Sequence, residues 1–527
     1  MRKFSSYGPI SNASNYYAPR EELIEKTYSN LIGENPPEGG HYFTVWAPRQ
    51  TGKTWLMQQV VQKIKQEDKY NVAMISLQAA KDIENEKKVL EILIKKISQT
   101  LQIRFPKISS ISDISDLFTN KYFQKPLILI IDEFDSLEEK FINRFVNIFR
   151  DIYIEKTGEP DKVSSEKRLL LHGLALIGVR SVLGIENIKG SPFNIQRSVR
   201  VSNLNYDEVA GMFKWYEKES GQTVEEEVIR TLYDEMRGQP GLTCWFGELL
   251  TETYNHDPKQ PITMQNFKEA YGAATHILPN NNILNLISKV NKPPYNEMVM
   301  EFFKTGEKIE FKFNNSDINY LYMNGVIDQE KAVNDEYYLK FSCPFVQKSL
   351  FDYFSNEIFR YLGQLIHPLD AMEDAVDEEN LYIPNIIKRY QAYLTKNQGV
   401  FFKDVPRRKD DLRIYEAIYH FNLFRYLYDL LKARGVEVVP QFPTGNGKID
   451  LILKYHQKIY ALELKSFKDM YTHERGIEQA AEYGRQLGLK EIAFLVFVEL
   501  SEAEAKQLEK VVEKNNVKVT VLPVGIL

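Results

Sequence analysis

The stretch FTVWAPRQTGKT, residues 43–54, decides the fold of the first half of this chain. The apolar run FTVW predicts a buried strand, and the residues from Trp55 to about Lys65 predict a helix. A loop between a strand and a helix start leaves backbone N–H groups free to bind an anion. Residues 47–54 therefore fit a phosphate-binding loop, with Ala47 where the pattern usually has Gly.

Two adjacent acids, Asp132 and Glu133, follow the apolar residues in the run PLILIIDEFD at 126–135. Asp132 is expected to hold the water shell of Mg²⁺, and Glu133 to polarise an attacking water. Asp135 is expected to cap the next helix. In the loop, Lys53 would reach the outer phosphates of ATP and Thr54 would bind the metal. The predicted nucleotide-binding residues are Ala47, Pro48, Arg49, Gln50, Thr51, Gly52, Lys53, Thr54 and Asp132.

Buried strands alternate with helices along this half of the chain. Strand-like runs lie at residues 71–78, 126–135, 169–179 and 197–204, with a helix over about 86–101. This alternation predicts a parallel sheet with helices on both faces. The chain then becomes helical from Asp207 to Tyr254.

Residues 10–355 resemble the AAA-like branch of P-loop ATPases, near members with a winged helix after the helical lid. YYAPREEL (16–23) precedes the first strand, where relatives form an adenine pocket, and Glu133 directly follows the strand acid. RGQPGL (237–242), which contains Pro240, is similar to the GxP turn of the lid. The resemblance implies ATP hydrolysis and a homo-oligomer. An arginine acting in trans would be Arg144, Arg150, Arg197 or Arg200, and the γ-phosphate sensor lies among Gly178, Val179, Arg180 and Ser181.

The second informative stretch is GKIDLILKYHQKIYALELK, residues 447–465, which reads as two strands joined by a polar turn. Side chains two apart in a strand share a face, so Glu463 and Lys465 point the same way. Strand pairing can bring Asp450 beside them. Two carboxylates and an ammonium suit a divalent metal and phosphodiester hydrolysis. The alternative is an ordinary surface hairpin with alternating charges.

These residues resemble the PD-(D/E)XK nuclease core, and the resemblance covers about residues 405–527. It implies a first-helix Glu416, metal ligands Asp450 and Glu463, and Lys465 as the residue that orients water or neutralises the transition state. Gln479 and Tyr483, four apart on a helix, are similar to the supporting QxxxY signature. The expected order is helix, strand, strand, helix, strand, helix, strand. Mg²⁺ is the implied metal, and Mn²⁺ is expected to substitute for it.

Five parts are predicted, and together they form an α/β multidomain chain. They are a P-loop NTPase parallel sheet (1–205), a helical lid (206–278), a winged-helix-like domain (279–360), a helical connector (361–404) and a restriction-endonuclease-like α/β/α domain (405–527). The chain has 527 residues and a net charge of -5, which leaves room only for a local basic groove. RRKDDLR (407–413) is either such a phosphate contact or a solvated linker.

A zinc site is not expected, because the chain has two cysteines, no CxxC pair and scattered histidines. His456 and His473 are expected to be exposed. No apolar run reaches about 18 residues and the N-terminus lacks the apolar core of a signal peptide, so we expect a cytoplasmic protein with no membrane span.

The sequence predicts an ATP-dependent or ATP-regulated, metal-dependent DNA nuclease that works as a homo-oligomer. The alternative is an ATPase switch or loader whose nuclease-like domain binds nucleic acid without cutting it. The motifs do not distinguish DNA from RNA. Resemblance to such fusions points to anti-phage defence or mobile-element biology, and the residues do not choose between the two.

Overall fold

The computed structural model describes residues 1–8, 10–108, 110–178, 197–303, 309–332, 335–360, 362, 365, 372–397, 401–408, 411–444 and 447–526. By internal contacts the chain divides into two compact units. The first unit is Met1–Leu286 with Phe311–Asp328 and Phe341–Pro344; the second is Ile287–Glu310 with Gln329–Lys340 and Phe345–Leu527. The predicted winged-helix-like segment thus contributes to both units, and the five-part division stays a prediction.

The first unit is built on a five-stranded parallel sheet in the order β2-β3-β4-β1-β5. Its strands are β1 (Tyr42–Trp46), β2 (Asn71–Ser76), β3 (Leu127–Asp132), β4 (Leu171–Gly178) and β5 (Ser198–Arg200). Its helices are α1 (Glu21–Ile32), α2 (Lys53–Glu67), α3 (Glu86–Leu101) and α4 (Glu139–Thr157). The predicted parallel sheet is confirmed, and β4 separates β1 from β3.

The apolar runs of this sheet are buried on both faces. Every residue of β3 is buried, and its side chains alternate between two clusters. Leu129 packs in the cluster that includes Phe145 of α4, whereas Ile130 packs in the cluster that includes Val60 of α2. Because β1 and β3 are parallel and both lie inside the sheet, their carboxyl ends open at the same edge.

Four helices follow the sheet in the segment predicted to form the lid: α5 (Tyr206–Ser220), α6 (Glu226–Met236), α7 (Pro240–Glu248) and α8 (Met264–His276). The next segment holds α9 (Asn281–Val290), α10 (Tyr295–Phe302), α11 (Ser316–Met323), the paired strands β6 (Ile327–Lys331) and β7 (Tyr337–Phe341), and α12 (Pro344–Ile358). Its assignment as a winged helix stays a prediction. Helix α13 (Ile383–Lys396) is the predicted connector helix.

The C-terminal part of the second unit contains a six-stranded mixed sheet in the order β12-β13-β11-β10-β9-β8. Its elements are α14 (Glu416–Leu431), β8 (Glu437–Thr444), β9 (Gly447–Tyr455), β10 (Lys458–Ser466), α15 (Met470–Gln486), β11 (Glu491–Val498), α16 (Glu502–Ala505), β12 (Lys510–Lys514) and β13 (Val517–Gly525). β9 and β10 form the predicted hairpin, with Leu451 opposite Leu462.

Four local predictions for the chain were wrong or incomplete. The predicted helix before the last strand is only the short α16, and β12 pairs antiparallel with β13. Asn515 and Asn516 join these strands with φ of 54° and 61°, the positive values that tight hairpin turns need. Strand β8 was missed because Pro440 and Pro443 argue against a strand, yet β8 lies at the sheet edge, where proline is tolerated. The helix expected from Leu412 begins at Glu416.

The Asp135 prediction is also wrong. Asp135 lies in the short 3-10 turn Phe134–Ser136, and α4 begins at Glu139 with Glu138 as its N-cap. Among the described helices, none is long and apolar enough to cross a membrane.

We predict that Gly476→Ala destabilises the second unit. A Cβ at Gly476 would lie 2.6 Å from Cζ of the buried Phe494, so α15 would be pushed off the sheet. The free energy of unfolding should fall by about 1–3 kcal/mol in urea denaturation followed by circular dichroism. In a Phe494→Leu background, which lacks that ring atom, the glycine substitution should cost much less. Equal losses in both backgrounds would contradict this packing.

Candidate functional sites

The phosphate-binding loop has the backbone geometry that its sequence predicts. Gly52 is the N-cap of α2 with a left-handed φ of 86°, so Lys53 and Thr54 begin the helix. Gln50 also has a positive φ of 57°. The turn aims the free N–H groups of the helix start into a cavity of about 570 Å³.

Lys53 is held inside the loop by main-chain carbonyls. Its Nζ donates to the carbonyl oxygens of Ala47 at 2.9 Å and Pro48 at 2.8 Å. Burial lowers the pKa of Lys53 to about 8, although Asp135, Glu133 and Asp132 oppose the shift. A bound phosphate would replace these carbonyl contacts with a full negative charge.

The two acids at the end of β3 meet the loop directly. Thr54 Oγ1 donates to Asp132 Oδ2 at 2.7 Å, and Asp132 is buried. Asp132 Oδ1 accepts from the Glu133 backbone N–H at 2.9 Å. Burial, together with Asp132 and Asp135, raises the pKa of Glu133. Thr54 and Asp132 are thus placed to share one metal ion, and Glu133 projects from the same strand end.

The RGQPGL turn, in the segment predicted as the lid, contacts the phosphate-binding loop. The Gly241 N–H donates to the Gln50 carbonyl at 2.9 Å, and Gln239 Nε2 donates to the Arg49 carbonyl at 3.1 Å. Pro240 is the first residue of α7 and lines the cavity with Gly241. All eight loop residues except Ala47 and Pro48 line the same cavity.

The wall of this cavity contains residues that the sequence reasoning missed. They are Ser5, Ser6, Tyr7, Gly8, Ile10, Trp55, Gln58, Gln78 and Cys244. The segment predicted to form an adenine pocket packs behind this wall, and its role at the base stays a prediction. Tyr17 packs its ring between Trp55 at 5.4 Å and Trp215 at 5.5 Å. An N-terminal stretch of Ser, Tyr and Gly carries no periodic pattern that would have revealed this role.

Three of the four candidate arginines form ion pairs within the chain. Arg144 pairs with Glu86, Arg197 pairs with Glu34 at 2.8 Å, and Arg200 pairs with Asp328 at 3.3 Å. Arg150 lies half-buried on α4. Gly178 lines the cavity, whereas Val179, Arg180 and Ser181 lie outside the described residues. A role in trans for any of these arginines stays a prediction.

The C-terminal sheet brings the predicted carboxylates and lysine together. Asp450 Oδ2 accepts from the Leu464 N–H at 2.7 Å, which fixes it beside β10. Lys465 Nζ lies 3.3 Å from Glu463 Oε1 and 3.7 Å from Glu416 Oε1. Glu416, at the start of α14, also accepts from the Ser466 N–H at 3.0 Å. Asp450 and Glu463 are fully buried.

The charges of this cluster are strongly coupled. Burial and the neighbouring Asp450 raise the pKa of Glu463 well above its usual range. Burial alone would lower the pKa of Lys465, but Glu416, Glu463 and Asp450 outweigh it and raise that pKa. Lys465 therefore stays protonated and supplies the positive charge that the buried carboxylates require.

Gln479 and Tyr483 lie together on α15. Gln479 Nε2 donates to Tyr483 Oη at 2.5 Å, and Gln479 lines a cavity shared with Glu416 and Lys465. Tyr483 is buried, and its position orients the Gln479 amide toward that cavity.

Two histidines differ from expectation. His473 is buried, not exposed, and packs between the rings of Phe467 and Phe494. His420 was missed as a site residue. It is fully buried one turn after Glu416, and its Nδ1 lies 3.6 Å from Asp450 Oδ1. Burial lowers the pKa of His420 to about 3, so it is neutral. The four-residue spacing from Glu416 was the available sequence signal.

The donor chemistry of the cluster fits a hard divalent ion. Carboxylate oxygens of Glu416, Asp450 and Glu463 are the ligand type that Mg²⁺ prefers, and Glu416 Oε1 accepts no hydrogen bond. Within the described residues, however, no three His, Cys, Asp or Glu side chains are arranged as a ready metal-binding group. Lys465 lies between two of the carboxylates and provides the compensating charge in this arrangement.

The cavity beside this cluster is about 380 Å³ and is lined largely by charged groups. Arg408 lies 3.7 Å from both Glu301 and Asp411, so its charge is neutralised locally. Arg413 Nη1 donates to the Phe467 carbonyl at 3.5 Å. Arg407 pairs with Glu499 at 3.5 Å and does not line the cavity. Lys409, the remaining cation of the RRKDDLR cluster, lies outside the described residues.

Comparison with known proteins identifies the first half of the chain. Residues 5–256 match the family described as the AAA-like domain, so this part is an AAA-like P-loop ATPase domain. No curated protein sequence matches the chain.

Three solved structures show partial similarity. A Walker-type ATPase of Pyrococcus abyssi is 15% identical, covers 66% of this chain and 98% of its own, and gives a TM-score of 0.43. Cdc6p from Pyrobaculum aerophilum is 14% identical, with 66% and 99% covered and a TM-score of 0.38. The Thermotoga maritima RuvB Holliday junction branch migration motor is 11% identical, with 59% and 90% covered and a TM-score of 0.33.

We predict that Gly241→Ala weakens nucleotide binding. Its Cβ would lie 2.6 Å from the Gln50 Cβ, which forces the lid turn away from the loop. Affinity for a non-hydrolysable ATP analogue should fall about tenfold in calorimetric titration. Gly211→Ala on lid helix α5, where a Cβ meets nothing within 4 Å, is the matched control and should bind like wild type. Equal affinity of the two variants would contradict the lid contact.

The lowered pKa of Lys53 gives a second prediction. At about pH 8.5 most free protein should carry neutral Lys53, and bound phosphates should raise its pKa, so nucleotide binding should take up a proton. Near neutral pH the lysine is already charged and little uptake should occur. Calorimetry in buffers of different ionisation enthalpy measures the uptake. Lys53→Arg, which is charged at both pH values, should bind without it.

Proposed function

We propose that this chain is an ATP-dependent or ATP-regulated, metal-dependent nuclease that cleaves DNA. The observation that carries the proposal is that the buried carboxylates of Asp450 and Glu463 lie beside Lys465 and Glu416, which line one polar cavity. A bound Mg²⁺, or Mn²⁺ in its place, would lower the pKa of water and stabilise charge on the phosphate.

The residues of the C-terminal site have separable roles in this proposal. Asp450, Glu463 and Glu416 would hold the metal, and the Leu464 N–H keeps Asp450 in place. Lys465, protonated at neutral pH, would orient the attacking water or neutralise the phosphate in the transition state. Gln479, supported by Tyr483, would contact the phosphate backbone beside the site.

The AAA-like domain would supply nucleotide control. Lys53 would bind the outer phosphates, Thr54 and Asp132 would hold Mg²⁺, and Glu133 would polarise the attacking water. Pro240 fixes the start of α7 where the lid turn touches the loop. Assembly of several copies on DNA, driven by ATP, would license cutting. Anti-phage defence and mobile-element biology are the proposed settings.

One observation favours a second candidate. Lys465 is paired with Glu416 and Glu463, and the described part of the chain contains no ready group of three metal ligands. In this candidate the protein is an ATPase switch or loader whose C-terminal domain binds nucleic acid without cutting it.

The test is cleavage of plasmid DNA with Mg²⁺ or Mn²⁺, with and without ATP. Asp450→Asn keeps an acceptor for the Leu464 N–H but removes the charge, and should reduce cleavage by about 10²-fold or more. Asp429→Asn, a carboxylate of α14 paired with Arg425 and Lys432, is the matched control and should cut like wild type. Lys53→Ala should abolish the ATP effect.

Intact DNA with wild type under every condition, or equal cutting by Asp450→Asn, would eliminate the nuclease. Binding of DNA without cutting would then select the switch. Cleavage that is unchanged by ATP and by Lys53→Ala would support a nuclease but contradict its control by nucleotide.

A further inference from the structure

One face of α15 forms a polar wall of the C-terminal cavity. Thr472, Arg475, Gly476 and Gln479 recur at helical spacing along it, and Lys468 precedes the helix. A Cβ at Gly476 would contact Phe494, so glycine both lets the helix approach the sheet and leaves the wall recessed.

The cations of this wall differ from Arg408. Arg408 faces two carboxylates, whereas Lys468 and Arg475 form no ion pair with the residues that the structure describes. Both side chains are exposed and line the same cavity as Lys465. An unneutralised pair of cations beside a buried ammonium is suited to a phosphate chain that continues past the carboxylate cluster.

Two exposed side chains, Tyr471 and Leu412, lie next in the chain to residues that line the cavity. Tyr471 is 73% exposed, and the Arg475 guanidinium lies 5.8 Å from its ring centroid. Leu412 is 70% exposed and has a left-handed φ of 57°, a conformation that costs a leucine about 1 kcal/mol or more. Large apolar side chains are seldom left in water in a strained conformation unless something covers them.

We propose that this cavity takes one unpaired strand of DNA, with a base stacked on Tyr471 and its phosphates on Arg475 and Lys468. The inference rests on the proposed nuclease function and names its substrate as single-stranded DNA or a frayed DNA end. Base stacking on aromatic rings with cations tracking the backbone is how proteins hold single strands.

The size of the cavity argues against an intact duplex. At about 380 Å³ it is near the lower end of cavities that hold small ligands, about 300–1,000 Å³. A nucleotide paired inside a duplex cannot enter such a pocket until it leaves the stack. A free strand enters without that cost.

The test is binding of the full-length protein to labelled oligonucleotides in EDTA, followed by fluorescence anisotropy. Tyr471→Ala should weaken binding of single-stranded DNA about tenfold, and Tyr471→Phe, which keeps the ring, should bind like wild type. Tyr337→Ala, which removes another exposed tyrosine of the second unit, is the matched control and should have no effect. Blunt duplex should bind equally to wild type and Tyr471→Ala.

A second variant tests the charges. Arg475→Gln should lower single-strand affinity and reduce the slope of log affinity against log salt by about 1. Unchanged single-strand binding in both variants, equal losses on blunt duplex, or no binding of single strands would overturn the inference. Tighter binding of RNA than of DNA of the same sequence would overturn the assignment to DNA.

The binding assay is independent of cleavage. If Tyr471→Ala weakens single-strand binding in EDTA but the wild type cleaves no DNA in Mg²⁺, the nuclease function is contradicted and the single-strand site is supported. Cleavage of duplex by wild type and Tyr471→Ala at equal rates would sink the single-strand site and leave the nuclease.

Discussion

The C-terminal site depends on one buried ammonium. Lys465 lies 3.3 Å from Glu463 and 3.7 Å from Glu416, with Asp450 near enough to raise its pKa further. Carboxylates brought this close in a buried site would repel one another and could not all stay ionised without a cation. The sheet can therefore place these acids side by side because the chain also places Lys465 among them and Lys448 near enough to interact with all three. That requirement links the pairing of β9 with β10 to the position of α14.

In the AAA-like domain the buried charge that needs compensation is a cation rather than a carboxylate. Lys53 is a cation that burial disfavours, and the carbonyls of Ala47 and Pro48 hold it until a phosphate arrives. Lys53 is positioned by main-chain carbonyls, whereas Lys465 is positioned by side-chain carboxylates. Binding of a phosphate or a metal would complete an electrostatic arrangement that the free protein leaves unbalanced.

Period and spacing were enough to predict the parts of the fold that depend on them. The period of two in β10 predicted that Glu463 and Lys465 share a face, and the buried run of β3 predicted where Asp132 ends the strand. Tertiary context decided the rest. Pro440 lies in a strand only because β8 is an edge, and the exposure expected for His473 failed because two phenylalanine rings enclose it. Ser5, Ser6, Tyr7, Gly8 and Ile10 follow no periodic pattern. Only the folded structure shows that they line the cavity of the phosphate-binding loop.

Each candidate site has a non-glycine residue with a left-handed backbone conformation in it or next to it in the chain. Most non-glycine residues with positive φ in the described chain are types that tolerate it, such as Asp68, Asn515 and Asn516. Gln50, Gln102, Glu133, Arg237 and Leu412 do not belong to that group, and Glu133 and Leu412 have φ of 54° and 57°. Glu133 directly follows β3 and lines the cavity of the phosphate-binding loop, and Leu412 lies between Asp411 and Arg413, which line the C-terminal cavity. A strained conformation persists only where the surrounding structure imposes it. At Glu133 this conformation follows the end of a buried strand beside the loop cavity, and at Leu412 it accompanies an apolar side chain that is 70% exposed. Both residues adopt a backbone conformation that lowers local stability, and each lies near a surface where a phosphate-bearing ligand would bind.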